Sequence, residues 1–169
     1  MSRLAPFNLH AWVNEHRHLL KPPVGNRPIW SDGQFLVMVV GGPNARTDYH
    51  VNPGEELFFQ IEGDIVLKII EDGQPRDVPL KQGDIFLLPA GVPHSPQRPA
   101  NTVGLVVEHP KCSTTEHHLR WYCRQCGAVV HDFTFRPADL GAQIKAMLAE
   151  FNGNEALRTC EACGDVFAV

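Results

Sequence analysis

Apolar residues at Leu9, Trp12, Val13, Leu19 and Leu20 fall roughly on one helical face. Asn8, just before them, can accept a backbone N–H, so residues 8–20 are predicted as an amphipathic helix. The stretch Lys21-Pro22-Pro23-Val24-Gly25-Asn26-Arg27 ends it, because proline has no amide hydrogen and its ring clashes with a preceding helical turn. Downstream the period changes. Short apolar runs at 35–40, 57–61, 65–70, 85–88 and 103–107 are separated by turn-forming clusters such as Gly41-Gly42-Pro43-Asn44, Glu62-Gly63-Asp64 and Glu71-Asp72-Gly73. Asp72-Gly73 suits a tight hairpin, since both residues tolerate positive φ. Many short strands with no helix between them predict an antiparallel sandwich or barrel, hence a mainly β fold.

Beyond His109 the pattern shifts again. A strand is predicted over 129–135 and a helix over 137–151. In that helix Leu140, Ile144, Met147, Leu148 and Phe151 form an apolar stripe, expected to be a packing face, and Pro137 suits an early helical position. Flanking these elements are Cys123-Arg124-Gln125-Cys126-Gly127 and Cys160-Glu161-Ala162-Cys163-Gly164. The thiolates of one such pair grip one edge of a tetrahedral ion, and the glycine permits the turn that aims backbone N–H groups at sulfur. One pair alone could be a redox dithiol. Two pairs predict a closed, structural four-thiolate site on Cys123, Cys126, Cys160 and Cys163, for which zinc and iron are both suitable. Cys112 is left over and is expected to be a small, partly buried side chain. The predicted division is a barrel over residues 1–110 and a C-terminal extension over 111–169.

Composition narrows the function classes. A chain of 169 residues, 43% hydrophobic and 20% charged, suits one globular domain with a small appendage. The net charge of −4 gives no reason to expect nucleic acid or an anionic membrane as partner. No apolar run approaches the ~20 residues that span a bilayer. Met1-Ser2-Arg3-Leu4-Ala5-Pro6 lacks the apolar core of a secretory signal, and the thiols are spaced for metal, so the expected location is cytoplasmic. Sheet edges need covering, and a homodimer is the expected cover.

The candidate chemistry lies beside the turns: His50, His94 and one of the adjacent carboxylates Glu55 and Glu56. In a small barrel alternate residues point inward, so ligands from different strands can converge, and only one of two neighbouring glutamates can join them. Two imidazoles and one carboxylate hold one side of a metal and leave other positions open, as in non-haem Fe(II) oxygenases. A lone strand histidine is more often a hydrogen-bonded structural residue; the three together favour a metal. Arg46 lies four residues before His50 and Arg98 four after His94. Each offers a planar fork matched to a carboxylate, though either alone reads more readily as a solvated surface charge. Glu108, alone, reads as a solvent-facing strand end.

On Gly42, Asp48-x-His50, Glu56 and Gly63, and on Gly83, Pro89, Gly91 and His94, the sequence resembles the two motifs of the cupin superfamily. The resemblance selects Glu56 as the carboxylate and implies a double-stranded β-helix, or jelly-roll, barrel. Asp48 stands where the first motif has its first histidine, which leaves three ligands instead of four. Four longer segments, Lys21-Pro22-Pro23-Val24-Gly25-Asn26-Arg27, Gly41-Gly42-Pro43-Asn44-Ala45-Arg46-Thr47-Asp48-Tyr49-His50, Gly83-Asp84-Ile85-Phe86-Leu87-Leu88-Pro89 and His94-Ser95-Pro96-Gln97-Arg98-Pro99, resemble the 3-hydroxyanthranilate 3,4-dioxygenase family. The likeness extends over nearly the whole chain, including the cysteine-bearing tail of bacterial members. It implies catalytic Fe(II) on His50, Glu56 and His94 and a rubredoxin-like iron on the four cysteines. The implied substrates are 3-hydroxyanthranilate and O2, in the kynurenine route of tryptophan catabolism to quinolinate and NAD. It further implies Arg46 and Arg98 as ligands of the substrate carboxylate, Glu108 as a substrate-orienting proton acceptor, and Glu56 beside the substrate as well as the metal. The competing readings are a metal-dependent cupin isomerase and a ligand-binding regulator. The open triad weighs against the first, and the acidic charge without a basic helix near the cysteines weighs against the second.

Overall fold

Helix α1, Leu9–His16, starts where the Asn8 side chain accepts a hydrogen bond from the Ala11 amide at 2.9 Å, and a 3-10 turn at Arg17–Leu19 closes it. The computed structural model describes residues 5–6, 8–21, 25–109, 116–136, 138 and 140–169. Cys112 and Pro137 fall outside the described residues, as does the side chain of Leu140. The strands are β1 (Asn26–Trp30), β2 (Leu36–Gly41), β3 (Tyr49–Val51), β4 (Glu56–Glu62), β5 (Ile65–Glu71), β6 (Gln74–Leu80), β7 (Ile85–Leu88), β8 (His94–Gln97), β9 (Val103–Glu108), β10 (His117–Tyr122) and β11 (Val129–Phe135). They form a five-stranded sheet, β1-β2-β9-β4-β7, and a six-stranded sheet, β11-β10-β3-β8-β5-β6, with neighbours antiparallel. Non-consecutive strands pair within each sheet and the inner faces enclose a core. This is the expected mainly β, cupin-type jelly roll with an N-terminal helix and a four-cysteine cluster near its C-terminal end.

The inner face is written in alternation. Along β4, Glu56, Phe58 and Gln60 are buried, and their partners on β9 are Glu108, Val106 and Gly104. Phe58 and Val106 join Met38, Leu67, Ile69 and Leu88 in the barrel core. Each such side chain contributes roughly 1.5–3 kcal/mol through removal from water. Trp12 and Val13 of α1 pack on the opposite side of the five-stranded sheet, against Val39, Ile61 and Val103. The β5–β6 hairpin turns at Asp72 (φ 51°) and Gly73 (φ 76°), the doubly positive geometry expected of an Asp-Gly turn.

β10 pairs with β3, so the six-stranded sheet runs on past residue 110. Its Leu119 and Trp121 are fully buried with Met147 and Phe151 of α2 (Leu140–Gly153), and the Trp121 and Phe151 rings stack at 3.9 Å. The predicted helical stripe is therefore a packing face. Helix α3 (Glu155–Arg158) leads to the second cysteine pair. Among the described residues no helix is long and apolar enough to cross a membrane.

Candidate active site and metal centres

Three buried ligand atoms converge inside the barrel. His50 on β3, Glu56 at the start of β4 and His94 at the start of β8 present donor atoms that all lie within 4.8 Å of one another. Glu56 Oε1 is 3.3 Å from His94 Nε2 and 3.7 Å from His50 Nδ1. β3 and β8 pair at His50 and His94, which places the two imidazoles side by side, ring centroids 5.4 Å apart. The competition between the adjacent glutamates is decided by strand alternation: Glu55 is exposed, Glu56 buried.

The electrostatics suit a cation. Burial holds His50 neutral, its pKa lowered to about 3 even though Glu56 pulls the other way. A neutral imidazole keeps the lone pair a metal needs. For Glu56, burial favours the neutral acid, but the charge and hydrogen bond of His94 prevail and hold its pKa below the usual range. His94 moves oppositely: burial works against its charge, and Glu56 more than compensates, so its pKa is raised. A divalent ion held among the three would take over the neutralising of Glu56.

Glu108 pairs directly across from Glu56, which places two carboxylates side by side in the interior. Burial, then the Glu56 charge, pushes its pKa up to about 8. Asn52 eases the conflict: its Nδ2 donates to Glu56 Oε1 at 3.0 Å and to Glu108 Oε2 at 3.3 Å, and its Oδ1 accepts from the Gly54 amide at 2.9 Å.

The two arginines sit differently. Arg46 donates through both Nε and Nη2 to fully buried Asp48, and its charge acts on both His50 and His94. Asp48, the residue that replaces a cupin histidine, is thus the carboxylate that holds Arg46. Arg98 is further in: its guanidinium lies with Gln60 and Gly104, two inward rows from Glu56 along β4, or about 13 Å of strand. It is 4% exposed, Nη1 donates to Gln60 Oε1 at 3.2 Å, and Nε has no hydrogen-bond partner. Burial lowers its pKa to about 10.

The four cysteines form a second donor set. Cys123 and Cys163 sulfurs are 3.6 Å apart, Cys126 and Cys160 sulfurs 3.7 Å. A tetrahedron with bonds of about 2.3 Å has edges of about 3.8 Å, so this set has the dimensions of a four-thiolate site. The two turns are alike: Gly127 N donates to Cys123 O at 2.9 Å and Gly164 N to Cys160 O at 2.8 Å, each glycine at φ 76°. That left-handed conformation is why glycine follows each pair.

Two residues near the triad were not anticipated. Asn52 carries no motif. His117 contacts His50, Nδ1 to Nε2 at 3.0 Å, from a strand the sequence reading passed over; its signal was the alternation of buried His117, Leu119 and Trp121 with half-buried His118, Arg120 and Tyr122. A cleft of about 840 Å³ beside the cysteine turns, lined by Tyr49, Lys68 and Arg124, involves none of the triad.

Fold and donor set together define a cupin-type barrel whose two histidines and one carboxylate could hold a metal ion. The family model for 3-hydroxyanthranilic acid dioxygenase matches residues 1–152, and the chain belongs to that family. Relatives named 3-hydroxyanthranilate 3,4-dioxygenase agree. That of Xanthomonas campestris pv. campestris is 52% identical over 161 residues, 95% of this chain and 91% of the relative. That of Neurospora crassa is 49% identical over 160 residues, 95% and 88% of the two chains. That of Ruegeria pomeroyi is 46% identical over 167 residues, 98% and 93%. Among solved structures, protein NMB1881 from Neisseria meningitidis superposes with a TM-score of 0.50 at 16% identity, over 62% of this chain and 99% of its own, a likeness of fold alone.

Proposed function

We propose that this chain is an iron(II)-dependent ring-cleaving dioxygenase that converts 3-hydroxyanthranilate and O2 to 2-amino-3-carboxymuconate semialdehyde, the precursor of quinolinate on the kynurenine route to NAD. The observation that carries the reading is the buried His50–Glu56–His94 set inside a member of this family. Both oxygen atoms of O2 enter the product, and no external electron donor is needed. His50, Glu56 and His94 would hold the catalytic iron: two neutral nitrogens and one carboxylate suit Fe(II), and among the described residues no fourth ligand joins them. Iron(II) bound there supplies the open positions at which an o-aminophenol and O2 can be brought together.

The remaining roles belong to the chain's own side chains. Arg46, aimed by Asp48, would bind the substrate carboxylate. Arg98 would bind it with its side chain extended toward the triad from the seat beside Gln60 and Gly104; its buried charge and its unpartnered Nε support an anionic ligand. Glu108 would orient the substrate and, from its ionised form, accept the hydroxyl proton; the pKa raised to about 8 by burial and by Glu56 makes that carboxylate a stronger base than an exposed one. Glu56 would border the substrate while ligating iron. The four cysteines would hold a structural rubredoxin-like iron, or zinc. A cytoplasmic homodimer completes the proposal. Incubation of the iron-loaded protein with 3-hydroxyanthranilate should yield the ring-opened product and then quinolinate by mass spectrometry; recovery of unchanged substrate would refute the assignment.

A further inference from the structure

Neither the metal ligands nor the proposed chemistry accounts for His117. It is 3% exposed, its ring stacks on that of His50 at 5.2 Å with 20° between planes, and Phe135 lies 5.9 Å away. β10 pairs with β3 so that Leu119 faces His50; His117 is the diagonal neighbour, a separation aromatic side chains bridge. The contact decides what His50 can offer. A neutral imidazole has one N–H and one lone pair, and whichever nitrogen donates leaves the other free to ligate. With the proton on Nε2 and donated to His117 Nδ1 at 3.0 Å, the His50 lone pair is on Nδ1, the nitrogen 3.7 Å from Glu56. His94 meets the same need with a backbone carbonyl: its Nδ1 is 3.1 Å from Val92 O, which leaves Nε2 facing Glu56.

We propose that His117 is a positioning residue that fixes the tautomer and ring orientation of His50 for metal binding. The strand that leads into the cysteine tail is therefore part of the support of the catalytic metal. The proposal rests on the reading of His50, Glu56 and His94 as a metal site, not on the identity of the substrate. Hydrogen-bond partners behind metal-bound histidines typically change metal affinity by about 10–100-fold.

The test uses two variants and Co(II) as the probe, titrated anaerobically into metal-free full-length protein. Co(II) on four thiolates shows sulfur charge-transfer absorption and Co(II) on His and Glu does not, so the two sites are read separately. His117→Phe keeps a ring to stack on His50 but removes the acceptor; His117→Gln restores an acceptor without the ring. The expected result is a 10–100-fold weaker His/Glu site in His117→Phe, recovery of most of that loss in His117→Gln, and an unchanged thiolate site in both. Undiminished Co(II) affinity in His117→Phe would overturn the proposal, as would equal losses in the two variants. Wild-type protein with no His/Glu Co(II) site would instead remove the metal reading on which the proposal stands.

Discussion

Gly104 gives the most incisive test of the carboxylate pocket. Its backbone is not left-handed, so glycine is there for space: a Cβ would come 2.8 Å from Arg98 Nη1, 3.0 Å from Gln60 Oε1 and 3.1 Å from Arg98 Nη2. Gln60 cannot retreat easily, because its Nε2 donates to the carbonyls of Glu62 and Gly63, both at 2.9 Å. In Gly104→Ala the guanidinium must therefore move. Overpacking a filled interior costs about 1–3 kcal/mol. At about 2–4 °C per kcal/mol for a domain of this size, Tm should fall by roughly 2–12 °C. If Arg98 binds the substrate carboxylate, loss of one charge-assisted hydrogen bond of about 1.5–3 kcal/mol raises KM for 3-hydroxyanthranilate roughly 10–150-fold. 2-Aminophenol, which chelates alike but lacks the carboxylate, should keep its kcat/KM within about twofold. Steady-state O2 uptake with both substrates, at a temperature where the variant is fully folded, makes the comparison. Equal losses on the two substrates would refute the role given to Arg98.

Other outcomes follow from the same geometry. Trp121→Ala removes a fully buried ring stacked on Phe151 and should lower unfolding free energy by about 3–5 kcal/mol, read from the urea midpoint. Asn52→Ala leaves Glu56 and Glu108 opposed without their shared donor, so Fe(II) affinity should fall in chelator competition while the fold, by circular dichroism, persists. Cys123→Ser should lose one metal per chain by elemental analysis and melt earlier, yet turn over 3-hydroxyanthranilate when its catalytic site is loaded; a folded, iron-loaded variant with no turnover would count against a purely structural cysteine site.

Residues with strong local character were legible in the sequence. The Asn8 cap, the runs that became β5 and β7, the Asp72-Gly73 turn and the α2 stripe follow from propensity and periodicity, which neighbours in space reinforced. What was lost lay where tertiary context overrides such signals. β6, Gln-Pro-Arg-Asp-Val-Pro-Leu, and β1, with Pro28, carry no apolar strand pattern; both are sheet edges, where a missing N–H can be tolerated. β8 contains Pro96 and β3 is three residues long, so neither carries a strand pattern, yet they supply His94 and His50. Cysteine spacing announced four thiolates because a metal knuckle is local. The contacts of His117 with His50, of Asn52 with Glu108, and of Gln60 with Arg98 join distant positions, and no local spacing encodes them.

The central claim is that His50, Glu56 and His94 hold an iron at which 3-hydroxyanthranilate meets O2. O2 uptake by protein loaded anaerobically with Fe(II), beside a His94→Ala control, tests it most directly. The account predicts one O2 consumed per ring opened, and loss of uptake in the control. Full uptake by the control, or none by wild-type protein with Fe(II) bound, would contradict it.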